Sequence, residues 1–411
     1  MCSSILDAMS GPRPDDISRL TRRAQHVVSE EELKDRIAEG KPLRVKLGLD
    51  PTARDVTLGW AVVLRKLRDF QDAGHTAVLI VGDFTARIGD PSGKSETRPQ
   101  LTKDEVRVNA EACVEQLMDV LSRDNLEVRY NSEWLEPMDL ADILRLTSRY
   151  TVAQMLERDD FQKRYRDQRP ISIIEFLYPL AQAYDSVAVE ADVELGGSDQ
   201  LFNLLVGRDI QRAYDQRPQI ALTTPLLEGL DGVQKMSQSL GNYVGIREEP
   251  AEMFGKLMSL PDIMVGRYAD LATELPSEEV ERLTNDASSG GPQANQAKRA
   301  MARAVVSQYH GDTAATEAEG SFDRQFKQHE IPEEIPEAQV PAAALEDTEV
   351  YLPALLAELD LTSSRGEARR LLAQGGVRVD GDPVSEERIP VDSVRGSVVQ
   401  VGRRRFVRIV D

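Results

Sequence analysis

Between Ser29 and Val81 the apolar residues change period from segment to segment, and this alternation constrains the fold more than any other feature of the chain. Glu31 to Glu39 has amphipathic helical spacing, Leu43 to Leu49 is apolar and alternating, Trp60 to Ala73 returns to helical periodicity, and Val78 to Gly82 reads as a buried strand. Strands alternating with helices of this length imply βαβ units and a parallel sheet, so an α/β fold is expected. Helical spacing then dominates from Lys103 to Gln182, with breaks expected at Pro137, Pro170 and Pro179. A second βα unit is expected around Val187 to Ala213, and Ile220 to Leu227 reads as the last strand.

Residues 250 to 330 have the spacing of a helical bundle that ends at His329. Ile331 to Thr348, rich in Glu, Pro and Ala with few large apolar groups, has the composition of a linker. Tyr351 to Asp411 restarts a fold: helices from Leu352 to Leu359 and Ser364 to Gln374, then Gly375-Gly376, short strands at Val377 to Val379 and Ser397 to Val401, and a closing segment from Arg403 to Ile409. The expected divisions are therefore 1–245, 246–330, 331–349 as linker, and 350–411.

The chain's 411 residues exceed one ordinary core, in keeping with two to three domains. No stretch approaches a membrane span, Met1 to Arg22 lacks the pattern of a secretory signal, and the only cysteines are Cys2 and Cys113. A cytoplasmic, reduced protein without a disulfide framework is expected. The formal charge of −20 argues against general nucleic-acid binding, but ten arginines face nine acids in residues 350–411, leaving −21 on the first 349 residues. Any RNA contact by the tail must be local, and the acidic remainder keeps the surface soluble.

Five constellations carry chemistry. Gly48-Leu49-Asp50-Pro51-Thr52 runs from strand to turn and leads to Leu58-Gly59 at a helix start, an entry that turns backbone N–H groups toward an anion above the sheet. An ordinary βα turn would look the same. Val81 to Arg98 reads VGDFTARIGDPSGKSETR, an irregular loop in which Asp90 either holds a substrate ammonium or stabilises the turn. Tyr178, Gln182 and Asp185 share one helix face, a stripe of hydroxyl, amide and carboxylate suited to a polar amino acid, unless that face points to water. Gly196-Gly197-Ser198-Asp199-Gln200 is a glycine turn at a strand end, in the crevice where parallel sheets bind ligands. Lys235-Met236-Ser237-Gln238-Ser239 puts a lysine in a polar loop, suited to the β- and γ-phosphates of ATP.

Together, in this order and spacing, the five resemble bacterial tyrosyl-tRNA synthetases of class I, in particular the subgroup with a lysine-bearing strand such as Val45-Lys46-Leu47-Gly48. The resemblance runs from about Ser29 to the C-terminus and includes Leu-Met-Ser-Leu-Pro-Asp at 257 to 262 and the His310-Gly311 corner. It implies a Rossmann-like parallel-sheet catalytic domain, an α-helical anticodon-side domain and a small α+β S4-like RNA-binding domain. It further implies that Asp185 reads the tyrosine hydroxyl, that Asp90, Tyr178, Gln182 and Gln200 hold the ammonium and carboxylate side, and that Asp50, Gly59, Gly197 and Asp199 line the ribose and adenine. A carboxylate that expects a phenol is left unpaired by phenylalanine, an argument whose worked case is the tyrosyl enzyme itself. Many relatives carry a tyrosine where Lys46 stands, so one hydroxyl contact of the family is open here. Implied partners are L-tyrosine, ATP with its Mg2+, tRNA(Tyr) and a second copy in a homodimer, with Arg365, Arg369 and Arg370 on the RNA and no resident metal.

Two family signatures are altered. His-Leu-Gly-His reads Thr57-Leu58-Gly59-Trp60, and Lys-Met-Ser-Lys-Ser keeps Lys235 but has Gln238 for the second lysine. In tyrosine activation the amino-acid carboxylate attacks the α-phosphorus and negative charge grows on pyrophosphate, where those histidines and lysines are aimed. Thr52, Thr57, Lys235 and Gln238 remain as donors, and Trp60 either stacks on adenine or fills the ribose space. A slow or specialised tyrosine–tRNA ligase and a paralogue that no longer charges tRNA both follow from these residues. In the second, the chain binds tyrosine or RNA as a regulator, or adenylates an amino acid for another pathway.

Overall fold

The structure, a computed structural model, describes residues 17–52, 54–90, 102–327, 335–402 and 405–410. The chain divides into two compact units, Met1–Glu319 and Gly320–Asp411.

The first unit is built on a six-stranded sheet of β1 (His26–Val28), β2 (Arg44–Leu49), β3 (Thr76–Val81), β4 (Leu126–Tyr130), β5 (Val193–Gly197) and β6 (Ile220–Thr224). Its order is β1-β6-β5-β2-β3-β4, with β2 to β6 parallel and β1 antiparallel to β6 at the edge. Leu47 of β2 lies between Leu79 and Leu195 in register. Strands covered on both faces read as continuous apolar runs, as Ala77 to Val81 does, all without exposure. Against that rule Lys46 stands fully buried in the middle of β2.

Helices α1 (Ile17–Thr21), α2 (Glu30–Ala38) and α3 (Leu58–Asp72) belong to the first half. Thr57 caps α3, its Oγ1 accepting from Trp60 N at 3.3 Å, and Leu58, Ala61, Leu64 and Leu67 form the buried stripe. Then come α4 (Lys103–Leu117), α5 (Ser132–Leu135), α6 (Leu140–Thr147), α7 (Val152–Met155), α8 (Asp159–Arg166), α9 (Ile173–Ala188) and α10 (Leu201–Ala213). Pro179, expected as a break, lies inside α9, where burial of Tyr178, Leu180 and Ala183 holds the helix on the sheet. Strand β4 lies within the stretch expected to be helical, although LEVRY alternates apolar and charged residues as an edge strand does; its five residues are outweighed by the helical spacing on either side.

Helices α11 (Pro250–Met258), α12 (Val265–Ala272), α13 (Ser277–Ser288) and α14 (Gly291–Lys327) follow, and Gly311, at φ 84° and ψ 164°, bends α14 at the expected corner. Arg65 of α3 donates to the carbonyls of Leu271 and Ala272 at 3.3 and 2.9 Å and to Tyr309 Oη at 2.8 Å, so these helices are keyed into the same unit as the sheet.

In the second unit β7 (Glu337–Ala338), β8 (Leu345–Glu346), β9 (Glu349–Tyr351), β10 (Val377–Val379), β11 (Asp382–Pro383), β12 (Arg388–Pro390), β13 (Val398–Val401) and β14 (Arg405–Ile409) form sheets ordered β11-β10-β13-β14-β7 and β12-β9-β8. Helices α15 (Leu352–Glu358) and α16 (Arg365–Ala373) pack on them. The stretch read as a linker is not free chain in its described part. Glu337 and Ala338 pair in parallel with Arg408 and Ile409, and Ala344 is buried in the core with Leu352, Leu355 and Val377. Two-residue strands have no period to read, which is why composition misled there. No described helix is long and apolar enough to cross a membrane. Residues 1–16 with Cys2 among them, residues 91–98 of the second motif, His329 and Arg403 lie outside the described residues.

Candidate active site at the carboxyl ends of the parallel strands

Asp50 follows β2, Gly82 follows β3, Asn131 follows β4 and Ser198 to Gln200 follow β5, so the sheet's parallel order gathers the motif residues at its carboxyl end. The stripe on α9 faces inward. Tyr178 and Asp185 are 7% and 3% exposed, and Gln182 is half-buried.

Asp185 is the deepest of them. Trp134 Nε1 donates to its Oδ1 at 2.8 Å and Asn131 Nδ2 to its Oδ2 at 3.3 Å, while burial pushes its carboxyl up to about 7 against the opposing pull of Lys46. Neither Trp134 nor Asn131 was singled out from sequence, since both hang on the hidden strand β4. Toward the mouth, Tyr178 Oη donates to Asp50 Oδ2 at 2.9 Å and Thr85 Oγ1 to Asp50 Oδ1 at 2.7 Å. A Cβ at Gly82 would lie 2.0 Å from Asp50 Oδ1, so only glycine admits that carboxylate. Desolvation raises Asp50 to about 7, with neighbouring Asp90 adding to the rise. Desolvation and then Asp50 hold the Tyr178 phenol well above its ordinary range, which keeps it a donor.

Gln200 Nε2 donates to Asp90 Oδ2 at 2.9 Å, and Asn203 Nδ2 links the Gln182 and Gln200 amide oxygens at 3.1 and 3.0 Å. The structure thus joins Asp90 to Gln200, Gln182 to Gln200 through Asn203, and Tyr178 to Asp50. It ties Asp50, expected beside the nucleotide, into the cluster expected to hold the ammonium.

The groups expected to meet the nucleotide engage protein partners instead. The first-turn amides of α3 face protein acceptors: Leu58 N donates to Val244 O at 2.9 Å, Gly59 N to Met236 Sδ at 3.2 Å, and Trp60 N to Thr57 Oγ1. A Cβ on Gly59 would sit 3.4 Å from Met236 Cβ, so the close approach allowed by this glycine is to the Lys235 loop. Lys235 Nζ pairs with Asp199 Oδ2 at 2.6 Å, and Gln238 Nε2 donates to Asp55 O at 2.6 Å. Asp199 Oδ1 is buried without a hydrogen-bond partner among the described residues. At Gly197 a Cβ would meet Asp199 Oδ1 and Leu226 Cδ2 at 2.7 Å, which explains that glycine by packing alone. Trp60 is half-buried and Thr52 is exposed. His26 binds Thr223 Oγ1 at 2.9 Å and the buried His75 accepts from Leu43 N at 3.1 Å, so neither replaces the lost motif histidines.

In the second unit Arg365, Arg369 and Arg370 are exposed on α16. Arg365 pairs with Glu358 at 3.4 Å, and Arg369 donates to Tyr351 Oη at 2.6 Å and pairs with Glu387 at 3.4 Å.

Residues 38–327 match the family model for tRNA synthetases class I (W and Y), and residues 352–394 match that for the S4 domain. A tyrosine–tRNA ligase of Moorella thermoacetica is 50% identical over 394 residues, 95% of this chain and 94% of that protein. The chain belongs to the class I tyrosine–tRNA ligase family. A second member, from Thermotoga maritima, is 49% identical over 395 residues, 96% of this chain and 97% of its own length. Among solved structures, a C-terminally truncated mitochondrial tyrosyl-tRNA synthetase of Aspergillus nidulans shares the fold at a TM-score of 0.62 and 23% identity, covering 76% of this chain and 94% of that one. The Archaeoglobus fulgidus tyrosyl-tRNA synthetase with L-tyrosine gives 0.60 at 23% identity, over 74% and 98%. The Rossmann-like catalytic fold and the C-terminal S4 domain are those of the family.

Proposed function

We propose that this chain is a tyrosine–tRNA ligase that activates L-tyrosine with ATP and transfers it to tRNA(Tyr). The observation that carries this reading is the buried Asp185 carboxylate at the floor of a polar stripe, within a chain 50% identical to a tyrosine–tRNA ligase along nearly its full length. A phenol hydroxyl donates to Asp185. The substrate ammonium meets Tyr178 Oη, Asp90 and Gln182, now joined by Asp50, and Gln200 lies on the carboxylate side. The tyrosine carboxylate attacks the α-phosphorus, its C–O–P bond forms as the bond to pyrophosphate breaks, and the tRNA terminal hydroxyl later displaces AMP. Protein groups position the reactants and offset charge rather than react covalently.

On the nucleotide side, Asp199 Oδ1 is an acceptor suited to a ribose hydroxyl, and Lys235 reaches the phosphates once it leaves Asp199. Gln238 can donate an amide there after releasing Asp55 O, whereas Thr57 acts first as a helix cap. Gly59 and Trp60 border adenine, and Thr52 lies beside the phosphates in the same reading. Mg2+ travels with the phosphates of ATP. The reaction belongs to the cytoplasm, where ATP and tRNA meet. The three α16 arginines are the RNA contacts. A homodimer is supported by the exposed apolar side chains Leu140, Leu144, Val152, Tyr165 and Ile173, all between the start of α6 and the start of α9. Aminoacylation of tRNA(Tyr) with labelled tyrosine tests the reading: charged tRNA is expected, and tyrosine binding without adenylate or charged tRNA overturns it.

A further inference from the structure

Lys46 occupies the strand position from which a side chain could reach toward the tyrosine pocket, yet its ammonium is closed to any ligand. An ammonium has three N–H donors. Here they meet Gln182 O at 2.9 Å, Ser186 Oγ at 2.7 Å and Glu194 Oε1 at 2.9 Å, and the side chain has no exposure. Glu194 is equally buried and also accepts from Gln182 Nε2 and Ser186 Oγ, each at 3.2 Å, and from Gln219 Nε2. The pair therefore grips α9 at Gln182 and Ser186, the residues that bracket Asp185.

We propose that the Lys46–Glu194 pair is the positioning element of the tyrosine pocket, gripping the Gln182–Ser186 turn of α9 and so fixing the place of Asp185, the carboxylate that reads the phenol. The inference rests on the tyrosine-ligase reading and deepens it. With Lys46 saturated, the hydroxyl contact that the family's strand tyrosine would supply is absent, and discrimination against phenylalanine falls on Asp185. The groups facing Asp185 are Lys46 on β2, Glu194 on β5, Asn131 after β4 and Trp134 on α5; Asp185 in turn bears on Asp50 and Tyr178. Lys46 favours the ionised carboxylate and Glu194 opposes it, with Lys46 the stronger of the two.

Equilibrium binding of tyrosine to the full chain across pH 5.5 to 9 separates the roles. In the unaltered protein affinity is expected to rise with pH through about 7, where Asp185 and Asp50 both ionise, and the substitutions below read the Asp185 part as a shift of that midpoint. Lys46→Met moves the midpoint to higher pH, a one-unit move weakening binding about fivefold at pH 7. Glu194→Gln moves it to lower pH. Because Lys46→Met leaves Glu194 buried and unpaired, Lys46→Met/Glu194→Gln provides a neutral pair, and its midpoint lies above that of the unaltered protein. If the single Lys46 variant does not fold, the Glu194 and double variants carry the test through their opposite shifts. Midpoints that stay fixed or all move the same way overturn the proposal while tyrosine binding stands. An unaltered chain that does not bind tyrosine overturns the ligase reading itself, and the proposal with it.

Discussion

The two halves of the cleft differ in what occupies their polar groups. On the proposed amino-acid side Asp185, Asp50, Asp90, Gln182 and Gln200 are joined to one another and to Trp134, Asn131, Thr85 and Asn203. On the proposed nucleotide side Lys235 lies on Asp199, Gln238 on the Asp55 carbonyl, and the Gly59 amide on Met236, so the loop is held by the elements around it. The first arrangement is braced by groups outside the proposed tyrosine contacts, as a preorganised site would be. In the proposed function the second exchanges these protein partners for ATP, with fewer charged donors than the family motif supplies.

Substitutions separate the halves, the largest effect first. Asp185→Ala removes the phenol's acceptor and leaves Trp134 Nε1 and Asn131 Nδ2 without theirs, so kcat/KM for tyrosine is expected to fall by about a thousandfold with little change in the KM for ATP. An equal loss for both substrates would break the separation. Lys235→Ala should lower the rate of tyrosine-dependent pyrophosphate exchange into ATP about a hundredfold while tyrosine affinity, measured by equilibrium dialysis, stays within about twofold.

A pH series gives the next effect. Asp185 and Asp50 are both raised to about 7. Above that pH they are carboxylates that accept the phenol and face the ammonium; below it they take up protons. Tyrosine affinity is therefore expected to fall as pH drops from 7.5 to 6, by roughly tenfold for each of the two carboxyls that must be ionised, in steady-state or binding assays. The smallest effect is structural. Thr57→Ala removes the cap of α3 and should destabilise the first unit by about 1 kcal/mol in a denaturant titration, whereas Thr57→Ser keeps it.

Much of the site was legible because it sits where strand periodicity ends. The Tyr178, Gln182 and Asp185 stripe was readable from helical spacing, and the glycine turns after β2 and β5 marked the sheet's carboxyl end. Asn131 and Trp134 were not, because β4 is a five-residue edge strand whose period-two alternation is short beside the helical spacing that flanks it. Nor was the partnership of Lys46 with Glu194, which depends on β2 and β5 being neighbours in the sheet. The role of Thr57 shifted for a local reason: at the residue before a helix a hydroxyl takes the N3 amide, here that of Trp60. In the second unit the helices were legible and the two-residue strands were not.

Tyrosine-dependent exchange of pyrophosphate into ATP, run beside tyrosine binding on the unaltered chain and on Thr57→His/Trp60→His/Gln238→Lys, tests the contrast most directly. Measurable exchange is predicted in the unaltered chain, with at least about a tenfold faster rate in the triple variant and the same tyrosine dissociation constant in both. An unchanged rate, or a rate and a tyrosine affinity that move together, would contradict the division of the cleft.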